Sequence, residues 1–426
     1  MAIAVKRRTL LLGGLAGAAA LGAGLRPTDR GGEHSLYFQS MGTALDSANI
    51  SGPTMVVDKA KMLANIATLK SNIGGRYDYR IVAKSLPSVQ MLETIMHASD
   101  SNRLMLFHQP FLSQVANELP HADVLMGKPM PVTAAANFYA GTPGVNGFDS
   151  SAQLQWLLDT PQRLQEYAEL ANRIGEDLRI NIELNVGLHR GGVANNKTLL
   201  QMLDMIESSP RLTFAGFMGY EPHIVKVPGD PLDYRDRAMT AYRGFVNAAK
   251  AHLGQRWPQN VLLNCGGSPT YQMYKEGDYP FNELSTGSCL VKPTDFDIPT
   301  LDDHIAASYI ATPVLKTLNP AESPVDGAAE LLAAWDPNRA QTFYTYGGYW
   351  KALPESPPGI SINPLMGRST NQEYMNGSAS VDLQVDDWVF LRPTQSEFVF
   401  LQFGDIAVLD DGVITARWPI LKNTSS

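Results

Sequence analysis

The chain holds 426 residues, 42 of them acidic and 34 basic, for a formal charge of -8 at neutral pH. That length exceeds what one ordinary core holds, and it points to two domains or to one barrel with an appended domain. No basic block lies beyond the extreme N-terminus, which argues against nucleic acid as a partner and leaves any small anionic ligand to a local site. The two cysteines, Cys265 and Cys289, are too few for a disulfide framework, so two buried free thiols are expected, with a single bridge open in an oxidising compartment.

In chain order, Lys6-Arg7-Arg8 precedes a small-residue apolar run from Leu10 to about Leu25 that is short for a bilayer span. This is the form of a signal peptide, and Arg7-Arg8-Thr9-Leu10-Leu11 resembles a twin-arginine export signal. The expectation is a periplasmic protein with no stable membrane partner after signal removal; an uncleaved anchor is the competing reading. No cysteine follows the run, which excludes a lipoprotein. Leu36-Tyr37-Phe38-Gln39-Ser40-Met41 resembles an engineered protease site, or matches one by coincidence behind a native-looking signal. Residues 1–50 are therefore read as export signal and linker, outside the fold.

From residue 52 short apolar strands alternate with amphipathic helices, the pattern of βαβ units on a parallel sheet. Strands are expected at Met55–Val57, Tyr79–Ala83, Leu104–Phe107, Val124–Met126, Gly144–Phe148, Ile180–Val186, Phe214–Met218 and Val261–Leu263. Met62, Ile66 and Leu69 have helical spacing, and helices are expected at Ala152–Leu158 and Leu199–Ile206. About eight strands in this span is the layout of a (β/α)8, TIM-like barrel, assigned to residues 51–304. Beyond it the texture changes to strand runs: Ile305–Leu315, Thr342–Tyr346, Ser380–Val385, Trp388–Leu391, Phe398–Phe403 and Ile406–Ile414, the last with a hairpin turn at Asp410-Asp411-Gly412. The fold class is thus α/β, a barrel followed by a C-terminal mostly-β domain over 305–426. The Pro/Gly-rich stretches 318–327 and 353–367 read as loops, the second long enough to be functional.

Candidate chemistry collects where barrel strands end. Lys84 closes the apolar run of Arg80-Ile81-Val82-Ala83 and has the setting of a Schiff-base lysine, although alone it would read as a solvated strand-end lysine. After Val261-Leu262-Leu263, the run Asn264-Cys265-Gly266-Gly267-Ser268-Pro269-Thr270 supplies glycines and hydroxyls suited to a phosphate; the bland alternative is a tight turn with a helix cap. His189 and Arg190 follow the strand ending at Val186. Arg190 facing a pyridine nitrogen would keep it unprotonated, and the plain alternative is a loop arginine paired with a carboxylate. Tyr220, Glu221 and His223 end another strand, with Tyr220 the preferred functional residue. Glu283, Ser285, Gly287 and Ser288 close the series.

Taken together, these segments resemble the fold-type III pyridoxal-phosphate enzymes, which include alanine racemase, and within them the D-threonine aldolase and D-serine dehydratase branch. The resemblance runs from about residue 52 to 420, through Pro53-Thr54-Met55-Val56-Val57-Asp58, RIVAKS at 80–85, GFDSSAQL at 147–154, NVGLHRGGV at 185–193, GYEPH at 219–223, GGSPTY at 266–271, ELSTGS at 283–288 and Arg417-Trp418-Pro419. It implies a barrel plus β domain, pyridoxal phosphate on Lys84, Arg190 near the pyridine nitrogen, Tyr220 near the cofactor, and Gly266, Gly267, Ser268 and Thr270 around the phosphate. It also implies a homodimer that builds each site from two chains.

One segment departs from the family. Where metal-dependent members carry His-x-Cys or His-x-Asp, this chain has Gln395-Ser396-Glu397, without the imidazole and thiolate that zinc prefers. The zinc site reads as lost or altered, with Gln395 and Glu397 the remaining candidates for a harder cation. Glu397 is alternatively a direct acid or base, helped by Glu373. Val82 stands where aldolase-like members carry histidine. The resulting expectation is a pyridoxal-phosphate-dependent lyase acting on a small D-3-hydroxy amino acid by deamination or retro-aldol cleavage, with Lys84 and Glu397 as catalytic residues. An amino-acid racemase and a catalytically silent cofactor-binding protein are the alternatives.

Overall fold

The computed structural model describes residues 26–141 and 146–423. The export signal expected over residues 1–25 lies outside the described residues, as does part of the strand expected at 144–148, whose described remainder is turn.

Eight parallel strands close into a barrel: β2 (Asp78–Val82), β3 (Arg103–Leu106), β4 (Asp123–Met126), β5 (Leu154–Leu158), β6 (Leu178–Leu184), β7 (Leu212–Gly219), β8 (Leu262–Cys265) and β9 (Glu283–Thr286). β9 closes the ring by pairing with β2, Arg80 opposite Ser285. Helices such as Pro161–Ile174 and Asn196–Ser208 connect the strands, and their ends are written locally. Thr160 caps the first through its Oγ1, which accepts from the Arg163 amide at 3.2 Å, Pro161 fits the first turn, and Gly175 ends the helix in left-handed geometry.

Two strand assignments differ from expectation. Residues 152–158, expected as helix, contribute β5, and all five of its residues are buried. A barrel strand is covered on both faces, so Leu154-Gln155-Trp156-Leu157-Leu158 carries no alternating polar face to mark it as strand. Its one polar residue, Gln155, points inward and accepts a hydrogen bond from Asn181. Conversely, Met55–Val57 is not a barrel strand. It belongs to β1 (Thr54–Asp58), which pairs in parallel with β16 (Asp405–Asp410), and β16 in turn pairs with β17 (Val413–Pro419). The expected hairpin joins β16 to β17, with Asp411 and Gly412 both at positive φ.

The chain divides into two compact units, and the second domain does not run to the C-terminus as expected. One unit spans Met55–Ser308 and takes back Pro393–Ser426; the other is formed by Tyr309–Arg392 and the segment before Met55. The latter unit is a β-sheet in the order β13 (Ser361–Ile362), β14 (Gln372–Gly377), β11 (Gln341–Tyr346), β10 (Ser308–Leu318), with β15 (Trp388–Pro393) on β10 and β12 (Ala352–Ser356) on β15. Residues 380–385 are not a strand, and 396–400 form a short helix rather than the expected strand.

The segment set aside as linker is folded. Residues Leu36–Ser47 form a helix that buries Met41, Ala44 and Leu45. Phe38 packs on Tyr309 and Phe390 with ring centroids 5.2 and 5.0 Å apart, and His34 donates to the Trp388 carbonyl at 3.1 Å. The sequence that resembles a protease site is therefore docked on this unit through Phe38 and Met41, with Leu36, Gln39 and Ser40 exposed.

Candidate active site

The C-terminal ends of the barrel strands surround a cavity of about 620 Å³. Its floor is the apolar upper layer of the barrel, where Met105 and Met218 pack with Leu125, Leu157 and Leu262. Such a layer keeps water out from below and lowers the local dielectric, which strengthens every polar contact above it.

Lys84 enters from the single turn Ala83–Ser85 that ends β2. Its Nζ lies 2.7 Å from Glu397 Oε1 and 4.6 Å from the centroid of the Phe107 ring. Both side chains are partly open, 33% exposed for Lys84 and 40% for Glu397, so the pair meets the cavity rather than being sealed in the core. Across the cavity Arg190 stacks on Tyr220, 5.1 Å from the ring centroid. Burial pushes the Tyr220 hydroxyl up to about 12, with the neighbouring Glu221 carboxylate adding to the effect and Arg190 opposing it. Tyr220 is thus a neutral donor at any working pH. Glu183 and Asp159 also line the cavity; burial, then Asp159, hold the Glu183 carboxyl above its usual value while Arg190 pulls it down.

Two loops form a cradle. Gly266, Gly267 and Ser268 follow β8, and Gly287 and Ser288 follow β9. A Cβ on Gly267 would stand 2.9 Å from the Tyr220 ring, and one on Gly287 only 2.5 Å from the Val82 carbonyl, so only glycine fits. Ser268 Oγ accepts from the Gly287 and Cys289 amides at 3.2 and 3.1 Å, and its own O–H is a donor within reach of the Cys289 thiol.

The sequence-predicted residues Lys84, Glu397, Arg190, Tyr220, Gly266, Gly267 and Ser268 all line this one cavity. Thr270 does not. It is buried beneath the loop, where its Oγ1 accepts from the Gly267 amide and donates to Glu221 at 2.7 Å. Glu221 is wholly buried and also receives Tyr274, Cys265 and the Gly266 amide, so it braces the loop from behind. The Gly266 and Gly267 amides, which suggested anion ligands, are spent on this brace. Gln395 is likewise outside the cavity lining and donates to Asp295 at 2.8 Å. Glu373, suggested as a helper of Glu397, lies in the other unit, bound by Arg368 and the Tyr349 amide. Cys265 and Cys289 are buried and free, as expected. Sequence reasoning missed Phe107, Lys128, Asp159 and Glu183 as lining residues; each sits one or two residues past or at a strand end, and that position was the available signal.

A closed parallel barrel whose strand ends present a lysine, an arginine–tyrosine stack and a glycine–serine cradle is laid out as an enzyme. The model of the alanine racemase N-terminal domain matches residues 57–295, and the chain belongs to that family. Among curated proteins it is similar to a 3-hydroxy-D-aspartate aldolase of Paracoccus denitrificans (strain Pd 1222), 22% identical over 147 residues. That match covers 34% of this chain and 37% of the relative, little more than a third of its length. Among solved structures, a D-threonine aldolase from Filomicrobium marinum superposes with a TM-score of 0.68 at 13% identity, over 88% of this chain and 98% of that one. A D-threo-3-hydroxyaspartate dehydratase from Delftia sp. HT23 gives 0.64 at 17% identity over 87% and 97%. An alanine racemase from Clostridium difficile 630 gives 0.64 at 11% over 86% and 98%. These likenesses establish the fold.

Alanine racemase-like enzymes of this fold use pyridoxal phosphate, and the residues here fit it: an amine opening into the cavity, a cradle that a single Cβ would fill, and a serine hydroxyl lining that cradle. A metal fits less well. Gln395 is engaged elsewhere, Glu397 is held by Lys84, and no group of three His, Cys, Asp or Glu side chains stands ready to hold a metal ion among the described residues.

Proposed function

We propose that this protein is a pyridoxal-phosphate-dependent lyase acting on D-3-hydroxy amino acids, with Lys84 as the lysine that carries the cofactor. The observation that carries the reading is the opening of Lys84 into the same cavity as the glycine–serine cradle and the Arg190–Tyr220 stack. The activities named for its relatives, an aldolase of 3-hydroxy-D-aspartate, an aldolase of D-threonine and a dehydratase of D-threo-3-hydroxyaspartate, support the choice of substrate class. The resemblance further leads us to propose a homodimer, and the leader a periplasmic address.

When bound, the cofactor supplies an electron sink for charge that develops at the substrate's Cα. The protein's part is binding and proton handling. Ser268, whose hydroxyl lines the cavity, can turn its O–H to an anionic group resting on the cradle. Arg190, permanently charged and fixed against the face of Tyr220, presents directional N–H donors to a ring acceptor. Tyr220, kept protonated by burial, offers a donor and not a phenolate. The Lys84 amine stands over Phe107, whose ring sheds water from one side, so the amine is placed to give or take a proton at Cα.

The test is direct. Purified protein given pyridoxal phosphate should develop the visible absorption of a lysine-bound pyridoxal, and Lys84→Ala should lose both that band and turnover. A panel of D-serine, D-threonine and D-alanine, scored for ammonia, aldehyde and inversion, should return ammonia or aldehyde from the hydroxylated substrates. A wild-type protein that never develops the band, or a Lys84→Ala variant that keeps it, refutes the reading.

A further inference from the structure

Glu397 lines the same cavity without a part in that chemistry, and its placement is specific. It lies in the first turn of the short helix Ser396–Phe400, in the stretch that returns to the barrel unit after residue 393. From there its Oε1 meets Lys84 Nζ at 2.7 Å in the cavity, while Gln395, two positions earlier, turns to Asp295. The segment thus points one carboxylate at the lysine and offers no cluster of metal donors beside it.

We infer that Glu397 is the acid–base group at the substrate's 3-hydroxyl, doing there what a divalent cation would otherwise do, and that it exchanges protons directly with Lys84. The inference rests on the lyase reading above and deepens it, because it commits to aldol cleavage over loss of ammonia. The two groups face each other at 2.7 Å, close enough to exchange a proton. Cleavage needs one acceptor and one donor there. The Glu397 carboxylate takes the hydroxyl proton, the O–H electron pair becomes the second bond of a new C=O, and the Cα–Cβ bond breaks with its pair left at Cα. Lys84, free once the substrate has taken its place, gives its proton to Cα, so the products are an aldehyde and glycine. Glu397 ends as the acid and Lys84 as the amine, and one proton crossing the 2.7 Å contact restores the ion pair. No oxidant, metal or second base enters the balance.

The experiment compares wild-type holoprotein with Glu397→Gln on D-threonine, before and after exhaustive chelation, with metal content read by mass spectrometry and Mn²⁺ and Zn²⁺ binding by calorimetry. We expect aldehyde and glycine as products, substoichiometric metal, no saturable binding of either cation, and turnover indifferent to the chelator. Glu397→Gln should keep the visible cofactor band yet lose on the order of 10²- to 10⁴-fold in kcat, the range for removing a positioned acid–base group. Turnover that chelation abolishes and Mn²⁺ or Zn²⁺ restores overturns the inference, as does a Glu397→Gln variant within a few-fold of wild type, or ammonia as the main product. Failure of the lyase reading has a different signature: wild type and variant both carry the cofactor band and neither turns over any hydroxylated substrate.

Discussion

The barrel contains two ion-pair systems of opposite character, one near its base and one at its mouth. At the base, Arg80 and Glu283 have side chains only 1% and 0% exposed, and they meet at 2.6 Å. Both side chains are fully engaged there. Arg80 also reaches Asp123 at 2.6 Å and the carbonyls of Leu104 and Asp123, while Glu283 takes Arg103 at 2.9 Å and Asn264 at 2.7 Å. At the mouth, Lys84 and Glu397 hold each other at 2.7 Å in a cavity that solvent reaches, with ammonium hydrogens and carboxylate lone pairs to spare. A buried pair must be saturated, because an uncompensated charge in the core costs several kcal/mol, and saturation removes any capacity to react. An open pair contributes little to stability and keeps its valences for a ligand.

This contrast can be broken most strongly at the base. Arg80→Met strands Glu283 in the core with only Arg103 opposite, and should cost about 3–5 kcal/mol, read from urea denaturation of the purified variant. The cradle comes next. A methyl at Gly287 must displace the Val82 backbone one residue from the turn that carries Lys84, so Gly287→Ala should weaken pyridoxal-phosphate binding by about tenfold or more in an absorbance titration. At the mouth, Lys84→Ala should change the urea midpoint by no more than the equivalent of about 1 kcal/mol even as it removes the cofactor band, since an exposed pair is worth that or less. A loss comparable to that of Arg80→Met would mean the mouth pair is structural. The smallest effect concerns Tyr220. Its hydroxyl is raised in the fold, from 10.0 to about 12, so its contribution to stability is whole below pH 10 and lost as pH rises toward 12. Tyr220→Phe should flatten that alkaline decline, measured as the unfolding midpoint across that range.

Much of the mouth was legible in the sequence because its residues follow strand ends, and strand ends are punctuated by glycine, serine and charge: Lys84 after Val82, Gly266 and Gly267 after Cys265, Arg190 in the loop beyond β6. What could not be read was direction. Thr270 and Gly267 share one turn, yet the hydroxyl faces a buried glutamate beneath it, which depends on Glu221 arriving from another strand. Gln395 and Glu397 lie two residues apart and diverge because a helix begins between them. In the frame, β5 reads as helix since a strand buried on both faces has no period of two, and β1 reads as a barrel strand because its partner lies about 350 positions onward in β16. The helix at Leu36–Ser47 was hidden by resemblance of its first residues to something extraneous, although Tyr37 and Phe38 are the aromatic anchors a docked helix needs.

The return of the chain to the barrel unit after residue 393 also orders events during synthesis. All eight barrel strands, Lys84 and both cradle loops are in place by residue 288, whereas Glu397 follows only after the Tyr309–Arg392 stretch of the other unit. Between those two points Lys84 stands without its charged counterpart, so the proposed reactive pair closes only after the strands of the other unit have been made and the chain has come back.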